Sequence, residues 1–150
     1  MSNLIINNKP YEKQAGTACF APYVDVSISA LTGRKSVDTT FKARLDTGAD
    51  ITCIPGIHAK ALMPLLLGRP IRIRGHDGSV KRARTHLVII SIHGYPEGDQ
   101  IGSFRPERGV LLTDSDIGLI GMDIISKHWK IIFDGISQDF SIEHNSSKMT

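Results

Sequence analysis

Ala43-Arg-Leu-Asp-Thr-Gly-Ala-Asp-Ile-Thr52 is the stretch on which the reading of the fold turns. Residues 39–45 read as a strand, and Asp46-Thr47-Gly48 follows at its end, where a turn must begin. The tripeptide therefore places one carboxylate on a sharply held piece of backbone instead of a mobile surface. Asp, Thr and Gly are also ordinary residues of a turn at a strand end. What flanks them decides their meaning.

Upstream, residues 24–29 alternate with period two, residues 31–35 supply a turn, and the strand ending at Leu45 completes a β-hairpin. Downstream, residues 51–54 are again β-rich and stop at Pro55-Gly56, after which residues 58–67 read as a short helix interrupted by Pro64. Residues 71–74 and 79–84 flank Gly75-His76-Asp77-Gly78, the strongest hairpin signal in the chain, because Asp-Gly readily takes the positive φ angles of a tight turn. Residues 87–92 continue as a strand, and residues 94–108, rich in Gly, Pro and charge, read as an irregular loop with one pairing segment. Short apolar runs follow at 110–112 and 117–120. Asp123 stands where its carboxylate can cap a brief helix over 124–128, and strands at 131–133 and 140–142 close around Asp134-Gly135. Residues 1–17 read as a flexible arm with a short strand at 4–6, residues 18–144 as the domain, and residues 145–150 as a frayed tail. The expected architecture is a small, mainly β domain with one or two short helices.

Composition sets the bounds. A chain of 150 residues, 41% hydrophobic and 22% charged, has material for one packed domain and none for a second of full size. No apolar run approaches the ~20 residues of a membrane span, and the first residues lack the basic-then-apolar layout of a secretory signal, so no membrane partner and a cytoplasmic location are expected. A net charge of +3 is too mild by itself to imply a polyanion. Cys19 and Cys53 make no disulfide framework and read as reduced thiols, Cys53 as a small buried hydrophobe and not a nucleophile. The six histidines show no zinc-ligand spacing, so no metal and no cofactor is expected.

The order of these features, Asp46-Thr-Gly-Ala-Asp50, then a Gly-tipped hairpin, then Leu119-Ile-Gly121 leading into a helix, resembles the retropepsin-like aspartic proteases. That single-lobed family includes the retroviral proteases and the protease domain of eukaryotic DNA-damage-inducible ubiquitin shuttles. The run Gly121-Met-Asp-Ile-Ile-Ser-Lys-His128 is closer to the shuttle type. The resemblance implies an acid-protease barrel forming a two-fold homodimer, with Asp46 as the catalytic acid and Thr47 bonding across the dimer axis. It implies that Gly48 lets substrate backbone lie close, that Ala49 and Asp50 contact and orient the peptide, and that Gly75, His76, Asp77 and Gly78 form a flap tip over it. Gly121 would pack beneath the catalytic loop, supported by Asp123. Two positions depart from the viral pattern. Met122 stands where those enzymes carry an Arg that pairs with the acid equivalent to Asp50. Arg44 occupies the place of an apolar subsite wall, where it either favours acidic or polar substrate side chains or turns outward.

Carboxylate chemistry leads to the same reaction. Hydrolysing an amide at mild pH needs a base to activate water and an acid for the leaving nitrogen; two close carboxylates supply both, because like charges keep one proton between them. A second Asp-Thr/Ser-Gly is absent, since Asp77-Gly-Ser, Asp114-Ser-Asp and Asp134-Gly-Ile do not fit. A homodimer in which each chain supplies Asp46 completes the pair. The expected substrate is an extended polypeptide. Two other readings compete: a non-catalytic peptide-binding module with the same fold, and a nucleic-acid-binding ribbon built on the six Lys and Arg of residues 69–84. The second lacks base-stacking aromatics, and basic residues on a hairpin's wet face are common, so no nucleic-acid partner is expected.

Overall fold

The computed structural model describes residues 4–14, 16, 18–30, 40–60, 67–74 and 77–144. Along the chain these form β1 (Leu4–Pro10), β2 (Tyr23–Ser29), β3 (Phe41–Leu45), β4 (Cys53–Pro55), α1 (Gly56–Ala59), β5 (Leu67–Arg74), β6 (Val80–His86), β7 (Ile89–His93), β8 (Gln100–Phe104), β9 (Leu111–Thr113), β10 (Gly118–Ile120), α2 (Met122–His128), β11 (Trp129–Asp134) and β12 (Asp139–His144). The fold is mainly β, with curled sheets and two short helices.

Alternation builds the largest sheet. In β2, Val24, Val26 and Ile28 are buried while Asp25, Ser27 and Ser29 are partly exposed, and in β3 Phe41, Ala43 and Leu45 are buried. The two strands pair antiparallel with Val24 opposite Ala43, as the hairpin reading expects; its turn, residues 31–39, lies outside the described residues. The sheet has seven strands in the order β8-β7-β2-β3-β10-β4-β9. One face closes on a core that also takes in Ile90 and Ile92 of β7, Phe104, Ile120, and Ile124, Ile125 and Trp129 at α2. Each fully buried Ile or Val in it contributes about 1.5–3 kcal/mol relative to exposure.

One feature of this sheet positions the site. β10, more than 70 residues beyond β3, lies between β3 and β4, parallel to the first with Leu119 beside Arg44 and antiparallel to the second with Leu119 beside Cys53. The strands entering and leaving the Asp46 turn are thus held apart by one width of sheet. Gly118 permits this approach: a Cβ there would lie 2.9 Å from the Cys53 carbonyl oxygen.

The segment read as a loose arm is built into the fold. β1 spans Leu4–Pro10, pairs with β12 (Leu4 opposite Glu143, Lys9 opposite Phe140) and joins β11 in a three-stranded sheet, β1-β12-β11. Ile6 is fully buried, and Lys9 is nearly so, its ammonium donating to the Tyr23 carbonyl at 2.9 Å. Asp25 lies 3.6 Å from Lys9 and 2.7 Å from Lys42, and Glu12 stands close to both ammoniums. This charge cluster locks the arm to the β2–β3 hairpin. The strand expected at 4–6 extends to Pro10, and the rest of its pairing is not legible locally because the β12 partners lie more than 120 residues away.

Further differences concern the helices and the last turn. Leu67, read as the end of a helix, begins β5 opposite His86, and α1 ends at Ala59; residues 61–66, Pro64 among them, lie outside the described residues. The N-cap of α2 is Gly121 and not Asp123; the Asp123 carboxylate does accept the Ile124 N–H at 3.0 Å, as expected of it at the helix start, but it also takes both the N–H and the hydroxyl of Thr52. The last turn runs from Asp134 to Asp139 with Gln138 left-handed (φ 55°), and Asp134 Oδ1 accepts the N–H groups of Ile136 and Ser137. The loop read at 94–108 contains its pairing segment as β8.

Candidate active site

β3 delivers Asp46 to the surface at the centre of the sheet. Its N–H donates to the Ile120 carbonyl of β10 at 2.9 Å, its carbonyl accepts from Ala49 N–H at 3.2 Å, and its carboxylate Oδ1 accepts from Gly48 N–H at 2.9 Å. The carboxylate is about one-quarter exposed (28%), held in place yet open to solvent. A Cβ on Gly48 would stand 3.3 Å from that same Oδ1, so the tight turn disfavours a side chain there. Thr47 and Asp50 are exposed and Ala49 is partly buried.

A second layer holds this turn. Met122 N–H donates to the Ala49 carbonyl at 2.7 Å. Thr52, fully buried, donates its N–H to Asp123 Oδ2 at 3.0 Å and its hydroxyl to Asp123 Oδ1 at 2.7 Å, and the same hydroxyl accepts Gly121 N–H at 3.0 Å. Gly121 lies against the turn so closely that a Cβ would meet the Ala49 carbonyl oxygen at 2.8 Å and the Ile51 carbonyl carbon at 3.0 Å. The Asp46 loop and the start of α2 are therefore one hydrogen-bonded unit. Thr52 was missed as a site residue; its only signal in the sequence is a hydroxyl within the apolar run Ile51-Thr-Cys-Ile54.

Arg44 is exposed, with its guanidinium Nη2 3.7 Å from Asp46 Oδ2. Register places Tyr23 and Leu119 beside Arg44 and Cys53 beside Leu119, one row across four strands. With Thr113, Ser115 and Ile117 that row lines an open cleft of about 260 Å³. Burial first, then the negative charges of Asp123 and Asp46, push the Cys53 thiol up, so it stays protonated and weakly nucleophilic at neutral pH. A second hollow of about 270 Å³ is lined by Asp50, Ile51, Arg108, Met122 and Asp123 among others. Among the described residues Asp50 makes no ion pair.

The structure brings together Arg44, Asp46, Gly48, Ala49, Gly121 and Asp123. Asp77 and Gly78 stand apart at the tip of the β5–β6 ribbon, while Gly75 and His76 lie outside the described residues. Gly78 has φ +81°, and Asp77 Oδ1 accepts the hydroxyl of Ser79 at 2.6 Å and its N–H at 2.9 Å, which holds the carboxyl of Asp77 below its ordinary pKa. The ribbon's base is fastened by Thr85, whose hydroxyl donates to the Arg69 carbonyl, and by paired backbone bonds between His86 and Val110.

No family model matches the chain, and no curated protein does. Among solved structures the chain is similar to EIAV protease complexed with the inhibitor HBY-793, at 24% identity and a TM-score of 0.41, over 77% of this chain and 91% of that one. No helix of the described residues is long and apolar enough to cross a membrane.

Proposed function

We propose that the chain is an aspartic endopeptidase of the retropepsin type, hydrolysing peptide bonds in extended polypeptides as a two-fold homodimer. The observation that carries this reading is the Asp46 turn itself. A solvent-reachable carboxylate is immobilised by Gly48 N–H and by a buried second layer of Thr52, Gly121 and Asp123. Such immobilisation suits a group that must hold a water against a scissile carbonyl to within a fraction of an ångström.

Each chain supplies one such carboxylate, and the mechanism needs two. In the dimer the paired Asp46 carboxylates share one proton; the ionised one takes a proton from the bridging water as it attacks the carbonyl, and the protonated one gives its proton to the carbonyl oxygen, yielding the neutral tetrahedral diol. Collapse transfers a proton to the leaving nitrogen and breaks the C–N bond. The pH profile belongs to the pair and has two apparent pKa values. Substrate would lie as an added strand between the Asp46 turn and the β5–β6 ribbon, held by main-chain hydrogen bonds, with the ribbon as the flap that excludes water. β11 supports association: it is the outer strand of its sheet, with Ile132 and Phe133 about half exposed and Ile136 in the turn after it wholly so, an edge that a second copy would cover.

The test is cleavage of a peptide library over pH 4–7 by the parent and by Asp46→Asn, with the mass in solution measured by light scattering. Cleavage by a dimeric parent, lost in the variant, is the expected result. Cleavage surviving Asp46→Asn would overturn the assignment, and a folded dimeric parent that binds peptides without cleaving them would make the chain a peptide-binding module.

A further inference from the structure

β5 and β6 pair antiparallel with Arg72 opposite Arg82, Pro70 opposite Arg84 and Arg74 opposite Val80. Residues directly opposite one another share a face of the ribbon, as do alternate residues along each strand. Arg72, Arg74, Arg82 and Arg84 therefore project from one face, and Ile71, Ile73, Lys81 and Ala83 from the other. Exposure divides the same way: the four arginines are exposed, whereas Ile71, Ile73 and Ala83 are partly buried. Among the described residues no carboxylate pairs with Arg72, Arg74 or Arg82. Arg72 and Arg82 face each other directly across the ladder, an arrangement that repels in the free protein.

The net charge of +3 conceals how uneven the surface is. Residues 67–86 hold six of the eighteen Lys and Arg and one of the fifteen acids, so this ribbon carries +5 and the rest of the chain −2. A concentrated positive field on a single projecting ribbon attracts a polyanion much as a uniformly basic protein would.

We propose that this four-arginine face is a binding surface for the phosphate backbone of nucleic acid, contacted without regard to base sequence. All four cations on the face are Arg, whose guanidinium fork matches phosphate bidentately, whereas the ribbon's lone Lys lies on the opposite face. Arg72 and Arg74 stand about 6.6 Å apart along the strand by its rise of ~3.3 Å per residue. That separation is close to two steps of the ~3.4 Å charge spacing along one nucleic-acid strand. The missing aromatics exclude base stacking and leave phosphate contact untouched. The competing occupant is an acidic polypeptide, which offers carboxylates at similar spacing.

The test measures fluorescence anisotropy of a labelled 20-base-pair DNA duplex of arbitrary sequence titrated with the full chain at several salt concentrations. Four phosphate contacts predict a log–log salt slope of about −3.6, or about 150-fold weaker binding at 200 mM than at 50 mM salt. Arg72→Ser/Arg82→Ser should lower the slope to about −1.8, and the corresponding 50-to-200 mM loss to about 12-fold. Arg72→Lys/Arg82→Lys should keep the parent slope. Circular dichroism of each variant should match the parent, since all four side chains are exposed. Three results would overturn the proposal: no binding at 50 mM salt, a slope unchanged in the Ser variant, or tighter binding of a labelled poly-glutamate of equal charge than of the duplex.

Discussion

Thr52 and Asp123, 71 residues apart, are joined by two hydrogen bonds, 3.0 Å from the backbone and 2.7 Å from the hydroxyl, and through them the Asp46 turn is fastened to α2. Asp123→Ala removes both acceptors and leaves the buried Thr52 N–H and the proton of its hydroxyl without acceptors, while the hydroxyl oxygen keeps the Gly121 N–H. We expect a loss of about 2–4 kcal/mol in urea unfolding. Thr52→Val combined with Asp123→Ala should cost less than the two single changes summed; full additivity in the double-mutant cycle would refute the coupling.

Gly121→Ala tests the contact beneath the Asp46 turn. The added methyl would lie 2.8 Å from the Ala49 oxygen, which belongs to backbone and cannot swing aside. We expect about 1–3 kcal/mol of destabilisation together with at least a tenfold fall in kcat, because the displaced backbone carries Asp46. Gly135→Ala, with open space around the new methyl, is the control and should leave both quantities unchanged.

Arg44 borders the cleft and approaches the Asp46 carboxylate to 3.7 Å. Replacing it with Met keeps most of the bulk and removes the charge. If the guanidinium reads the substrate, kcat/KM for peptides with Glu beside the scissile bond should fall at least tenfold relative to peptides with Leu there. Equal effects on both peptides would instead assign Arg44 to positioning Asp46.

Acid should weaken the fold in two stages. Burial first and the charge of Arg84 second lower the pKa of His86; burial, then the charges of His144 and Lys127, lower that of His128. Below the unfolded value of about 6.5 the unfolded chain therefore binds more protons than the folded one, and stability declines as pH falls from there through the lowered folded values. Asp25 adds a second stage. Its burial alone would raise its pKa, but the hydrogen bond from Lys42 and the charge of Lys9 outweigh that and lower it. Its contribution is present above the unfolded value of about 3.9 and is lost as pH falls through the folded one. Thermal midpoints between pH 7.5 and 3 should show both stages, and His128→Phe should flatten the first.

Much of this was legible in the chain because it is local. Period-two alternation in residues 24–29 marks a strand with one buried face, and Asp-Thr-Gly after Leu45 marks a turn that offers a carboxylate, since both depend on neighbours a few residues away. The β5–β6 ribbon was likewise visible from Asp77-Gly78, although the side of the ribbon each arginine takes was not. Tertiary structure alone decided the rest. It inserted β10 between the strands flanking Asp46, drew Leu4–Pro10 against β12, and gave the Asp123 carboxylate at the helix start a partner in Thr52. It also collected four arginines on one face by fixing the cross-strand register. The first three rest on contacts between segments far apart in sequence, and no local pattern encodes a hydrogen bond whose other half lies 70 or more residues away; the arginine face depends on the register that one hairpin adopts.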